Sequence, residues 1–228
     1  AEDGIRDIGV TGVQTCALPI LKMETTKLKR IVIDKLLTIG IIKYGHFILK
    51  SGMESSIYFD FRQLISHPTI FQYICQLATP MVASIKTANP GRTIRFMGIP
   101  MGAIPLATFM SQYFSIPSLM LRTVAKDHGT KKLIEGEWND NDIIILVDDV
   151  FTTGTSINET IEFITKNIAG ANFNLSNIIT VCDRSYGAST AKFPKLQTIF
   201  KLEEFEPTSP IMTHPLYQNS IANQIGRA

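Results

Sequence analysis

Ile143-Ile144-Ile145-Leu146-Val147-Asp148-Asp149-Val150-Phe151-Thr152-Thr153-Gly154-Thr155-Ser156 joins an unbroken aliphatic run to two adjacent carboxylates and a turn built of threonines around one glycine. The run Ile143 to Val147 has the composition of a strand covered on both faces, as in a parallel sheet. Asp148 and Asp149 follow it, and neighbours on an extended backbone point to opposite sides. At least one of them therefore reaches the crevice at the carboxyl end of the strand, where open α/β sheets hold their ligands. Ile157, Ile161 and Ile164 recur at helical spacing, so a helix begins directly after the turn. Thr152 to Ser156 thus place hydroxyls and unhindered backbone N–H groups at a helix N-terminus, where the dipole and the free donors favour an anion of phosphate size. An acidic turn followed by an ordinary capped helix uses the same residue types, and it is the plain alternative. A P-loop is excluded because no Gly-Lys-Ser or Gly-Lys-Thr occurs in the chain, and no dinucleotide fingerprint occurs either.

Outward from this stretch, strand, loop and helix alternate. Leu28, Ile31, Val32, Leu36 and Ile39 predict an amphipathic helix over Thr26 to Ile39, with Gly40 as its stop. Short strands are expected at His46 to Lys50 and Ser56 to Asp60, around a turn at Ser51-Gly52. A helix opens at Pro68, where a missing N–H costs little, and Pro80 is expected to break or kink it. Thr93 to Met97 reads as a strand leading through Gly98 to Ala103 into a helix that ends near Phe109, and Ser118 to Leu121 reads as the next strand. The polar stretch Thr123 to Asp142 has no sustained period and reads as a long loop of the kind that forms lids. A helix to about Ile168, a strand Ile178 to Cys182 and an apolar segment Leu196 to Leu202 complete the pattern. Such alternation is that of an α/β domain with a parallel sheet.

Composition bounds the rest. A chain of 228 residues is the size of one α/β domain with a small appendage. The formal net charge of +2, with mixed signs, gives no basic field, so nucleic-acid binding has no compositional support. Cys16, Cys75 and Cys182 form neither a metal pair nor a disulfide framework, which suits a reducing cytoplasm, and His46, His67, His128 and His214 show no ligand spacing. No apolar run approaches the ~20 residues that span a bilayer. Residues 1–22 lack helical or strand periodicity, precede the first plausible initiator, Met23, and resemble translated adapter DNA, as do residues 224–228. Both ends are expected to be non-native, flanking a single catalytic domain over residues 23–223.

The Asp148-Asp149 strand with its Thr152-Thr153-Gly154-Thr155 turn resembles the phosphoribosyl-diphosphate signature of type I phosphoribosyltransferases. Leu49-Lys50-Ser51-Gly52 with Tyr58-Phe59-Asp60, then Gly98 to Ala107, Lys126-Asp127-His128-Gly129 and Cys182-Asp183-Arg184 resemble, in the same order, one subfamily, the orotate phosphoribosyltransferases. The resemblance runs from about Leu28 to Gly187. It implies an α/β fold with a central, mainly parallel sheet flanked by helices and a small N-terminal hood over the cleft. It also implies transfer of ribose phosphate from phosphoribosyl diphosphate to orotate, giving orotidine 5′-monophosphate and diphosphate.

By resemblance, Asp148 and Asp149 lie under the ribose hydroxyls, and Val150, Thr152, Thr153, Gly154, Thr155 and Ser156 line the substrate around its 5′-phosphate. Lys126 and His128 sit on a loop that closes over the diphosphate, commonly that of the neighbouring subunit in a homodimer. Arg122 matches a diphosphate-binding arginine. Arg184 matches a position that contacts orotate, where a guanidinium can grip a carboxylate in bidentate fashion. In the hood, Lys50 matches a position near the diphosphate and the base, Tyr58 is expected among the substrate-binding residues, and Phe59 matches the aromatic that covers the pyrimidine. Mg2+ is expected to arrive held mainly by substrate oxygens, with no dedicated carboxylate cage. Two positions depart from the pattern: Thr123 follows Arg122 where the family often has lysine, and Gly102 stands where bacterial members often carry one. The 126–136 string is closer to the eukaryotic form, which is often fused to a decarboxylase. A phosphoribosyltransferase for another base would share the Asp148 motif without needing Lys126, His128 or Arg184, and a non-catalytic regulator that senses phosphoribosyl diphosphate and binds nucleic acid would need a basic face.

Overall fold

The computed structural model describes residues 24–48, 52, 54–122, 132–168 and 172–206. The two chain ends expected to be non-native, together with Lys50, Lys126 and His128, lie outside the described residues.

Helix α1 (Thr25–Thr38) buries Leu28, Val32, Ile33, Leu36 and Leu37, the stripe that the spacing predicts. It leads into an antiparallel pair, β1 (Ile42–Ile48) and β2 (Glu54–Phe59), in which Ile42 faces Phe59 and Tyr44 faces Ile57. This pair is the hood. A 3-10 turn (Phe61–Ser66) then enters α2 (Pro68–Ala88), and the expected break at Pro80 does not occur. Pro80 lies on the exposed face, while the buried stripe Ile74, Ala78, Val82 and Ile85 continues on both sides of it, so tertiary packing carries the helix through.

The second sheet contains β3 (Ile94–Gly98), β4 (Ser118–Leu121), β5 (Ile134–Glu135), β6 (Ile143–Phe151), β7 (Asn174–Asp183) and β8 (Leu196–Lys201), in the order β5-β4-β3-β6-β7-β8. Every pair is parallel except β4 with β5. Helix α3 (Ile104–Phe114) connects β3 to β4, and α4 (Thr155–Asn167) connects β6 to β7. The two-residue β5 lies inside the stretch read as irregular loop. It forms because Ile134 pairs with Leu121 and Glu135 with Met120 along the sheet edge, a contact too short to leave a period in the sequence. β6 also runs four residues beyond Val147, since β7 goes on pairing with it at Asp148, Val150 and Phe151.

Side chains of β6 alternate between two cores. Ile143, Ile145 and Val147 join α1, α2, α3 and the hood on one face, and Ile144 and Leu146 join Ile157 and Ile164 of α4 on the other. The hood is tied to the last strand through Phe205, in a 3-10 turn after β8 (Leu202–Phe205). Its ring is fully buried, meets Phe59 edge-on at 5.0 Å and Phe200 at 5.3 Å, and its carbonyl accepts a 2.7 Å hydrogen bond from the Tyr44 hydroxyl. No described helix is long and apolar enough to cross a membrane. Phe205→Ala should cost about 3–5 kcal/mol, the usual range for a buried aromatic. Chemical denaturation would measure it, and a loss below about 1 kcal/mol would contradict the role of Phe205 as the hood's anchor.

Candidate active site

The carboxyl ends of β3, β6 and β7 meet beneath the hood, as a doubly wound sheet requires of its ligand crevice. Asp148 is buried at 8% exposure, no ion pair joins it to a cation among the described residues, and its Oδ1 accepts the Asp149 N–H at 3.0 Å. Burial, and then the adjacent charge of Asp149, push its carboxyl up from 3.8 to about 7. Asp149 is half-buried, and its Oδ1 takes the Val150 N–H at 2.8 Å. Its Oδ2 looks toward the turn after β3, where a Cβ on Gly102 would stand 3.1 Å from it and 3.8 Å from Arg62 Cγ. The Arg62 side chain is held by Asp60 at 3.0 Å and the Tyr58 hydroxyl at 3.3 Å.

Beyond Phe151 the chain bends through Thr152 and Thr153 into Gly154, which takes a left-handed φ of 76°. A side chain there is blocked as well as strained, because its Cβ would fall 2.4 Å from Phe193 Cε2. Helix α4 starts at Thr155 with no side-chain cap, so its first-turn N–H groups are left to a ligand or water rather than to an ordinary capping residue. The Thr153 and Thr155 hydroxyls touch at 2.8 Å across the turn.

Arg184 follows β7 directly. Its N–H donates to the Phe151 carbonyl at 2.9 Å, which ties it to the end of β6. Asp183 fixes the next turn by accepting from the Ser185 N–H at 2.8 Å and from the Ser189 hydroxyl. The Arg184 guanidinium lies 5.4 Å over the Phe59 ring, donates from Nη2 to Ser55 Oγ, and keeps a buried Nε with no partner among the described residues. Burial lowers its pKa, so its charge is held at a desolvation cost that an anion would relieve. Arg184, Thr152 and Thr153 line one cavity of about 530 Å³ together with hood residues Glu54 to Ile57.

Other expected residues fall elsewhere. The Phe59 ring is buried, stacked on Phe61 at 5.5 Å, and reaches the cavity only through Arg184; it does not lie open above it. Tyr58, on the opposite face of β2, meets Phe47 at 5.4 Å. The hood residues that line the cavity are Glu54, Ser55, Ser56 and Ile57, at the start of β2. Val150 is half-buried against the core, and Thr155 and Ser156 are exposed at the start of α4. Arg122 sits after β4 on the far side of β3 and pairs with Glu135 at 2.7 Å. Among the described residues no cluster of three or more His, Cys, Asp or Glu could hold a metal. Sequence reasoning missed Ser55, Arg62 and Lys192. Ser55 and Arg62 bracket the quoted Tyr58-Phe59-Asp60 motif within three residues, whereas Lys192 follows no pattern.

A family model described as the phosphoribosyl transferase domain matches residues 64–193. An orotate phosphoribosyltransferase of Pyrococcus furiosus is 35% identical over 180 residues, covering 78% of this chain and 88% of that one. The chain belongs to the orotate phosphoribosyltransferase family. A uridine 5′-monophosphate synthase of Caenorhabditis elegans is 35% identical over 168 residues, and the chain spans only 32% of its length. The crystal structure of the orotate phosphoribosyltransferase from Aeropyrum pernix superposes with a TM-score of 0.58 at 25% identity, over 75% of this chain and 95% of that one.

Within this family member the state of Asp148 sets a pH signature. Its folded pKa lies above its unfolded one, so the stability conferred by the neutral carboxyl is complete below about pH 4 and is lost as pH rises toward 7. Asp148→Asn, neutral throughout, should gain stability relative to the unaltered protein from about pH 4.5 to pH 8, at up to about 1.4 kcal/mol per unit of pKa shift. Denaturation curves at both ends of that window measure it, and a difference that does not change with pH would contradict the assignment.

Proposed function

We propose that the chain transfers ribose 5-phosphate from phosphoribosyl diphosphate to orotate, in pyrimidine nucleotide synthesis. The observation that carries this reading is one cavity lined both by Arg184 and by Thr152 and Thr153, which open the uncapped turn into α4. A planar anionic base suits the arginine, and a sugar phosphate suits the turn. In the reaction the bond from the anomeric carbon to diphosphate breaks, and a bond to a pyrimidine ring nitrogen forms. The centre passes through an oxocarbenium-like state, so the protein works by orientation and charge placement.

Arg184 grips the orotate carboxylate, and its Ser55 contact holds the guanidinium toward the hood. The turn holds the 5′-phosphate with backbone N–H groups and threonine hydroxyls. Asp148 and Asp149 accept hydrogen bonds from the ribose hydroxyls and sit near the positive charge as it develops. The half-neutral Asp148 ionises more readily as those donors arrive. Asp149, a hard oxygen donor open toward Gly102, fits Mg2+ carried in on the substrate, and that ion would neutralise the departing diphosphate. The reading includes a cytoplasmic homodimer in which Lys126 and His128 serve the neighbouring subunit's diphosphate.

Incubation with phosphoribosyl diphosphate, Mg2+ and orotate should deplete the ultraviolet absorbance of orotate; consumption of purine bases instead would sink the substrate assignment. Arg184→Ala should raise the KM for orotate at least tenfold, roughly the worth of a charge-assisted pair, and an unchanged KM would remove Arg184 from the base site. Lys126→Ala should lower kcat far more than it weakens orotate binding, since its partner charge grows in the transition state. Equal losses in both would reduce Lys126 to a binding residue.

A further inference from the structure

Helix α5 (Ala188–Lys192) is a short segment seated against the Thr152 to Thr155 turn by two contacts. Phe193, the next residue, fills the space a side chain at Gly154 would need and meets Phe151 edge-on at 5.7 Å. Lys192 reaches the turn itself: its Nζ donates to the Thr153 carbonyl at 2.7 Å and lies 5.7 Å from the Phe193 ring centre. The lysine is exposed, and it lines the same cavity as Thr152, Thr153 and Arg184.

We infer that Lys192 is the cation that balances the phosphate group held by the Thr152 to Thr155 turn, a binding residue for the ribose-phosphate end of the substrate. This rests on the reading of that turn as a phosphate cradle. A phosphate monoester carries about 1.5 to 2 negative charges near neutral pH, and a helix N-terminus supplies only about half a positive charge. The turn's own donors are neutral. Among the described residues lining the cavity, the cations are Arg184 and Lys192. Arg184 is turned to the hood, over Phe59 and onto Ser55. Lys192 stands at the cradle, and its bond to the Thr153 carbonyl uses one of the ammonium's three donors, leaving two for phosphate oxygens.

Lys192 as a mere tie for the Thr153 carbonyl would behave differently. Glutamine at that position keeps a donor for the carbonyl but has no charge, whereas arginine keeps both. Calorimetric titration of the full chain with ribose 5-phosphate, and separately with orotate, distinguishes the two roles. Lys192→Ala and Lys192→Gln should each weaken ribose 5-phosphate about tenfold and orotate by less than about twofold, as expected for loss of one charge-assisted contact. Lys192→Arg should bind nearly as the unaltered protein does, and added salt should shrink the gap. Unchanged ribose 5-phosphate binding in the Ala and Gln variants, or equal weakening of orotate, would overturn the role of Lys192. Failure of the unaltered protein to bind ribose 5-phosphate would overturn the cradle reading, and the Lys192 assignment with it.

Discussion

Strand β6 has neither a free edge nor a free face. β3 and β7 pair with it on either side, and its side chains alternate into two separate cores. Such a strand cannot slip by one residue without driving an entire apolar set out of its core, so the register of everything beyond Val147 is fixed. Asp148 is carried to the sheet's carboxyl end inside that frame and held where water cannot easily follow, which is why its proton is retained near neutrality. The same rigidity delivers the Thr152 to Thr155 turn to one place, and Gly154 lets the chain turn there under the Phe193 ring.

The hood depends on this frame at second hand. Phe205, just after β8, packs on Phe59 of β2, and the Tyr44 hydroxyl reaches its carbonyl, so the antiparallel pair is joined to the far edge of the parallel sheet. Arg184 closes the circuit, with its backbone bonded to β6, its guanidinium over Phe59 and its Nη2 on Ser55. One arginine therefore contacts both walls of the cavity.

Much of this was legible in the chain. The apolar run Ile143 to Val147 and the Thr-Gly-Thr turn are local signals, and the structure has a strand buried on both faces at the first and a turn into an uncapped helix at the second. What escaped was non-local. Pro80 reads as a helix breaker until the packing of Ile74, Val82 and Ile85 on either side is known. Phe59 reads as a cover for the base, but its ring packs in the core on Phe61 and Phe205, contacts that lie far apart in sequence or outside any period. β5 is two residues long, and Lys192 lies on a helix too short to show a period, so neither leaves a pattern that can be read along one strand of sequence.

A crystal structure with bound orotidine 5′-monophosphate bears most directly on the claim that one cavity reads a base at Arg184 and a phosphate at the β6–α4 turn. The expected result is carboxylate density against the Arg184 guanidinium, with the phosphate on the backbone N–H groups of the Thr152 to Thr155 turn and the ribose hydroxyls over Asp148 and Asp149. Phosphate density seated away from that turn, or a base directed away from Arg184, would contradict it.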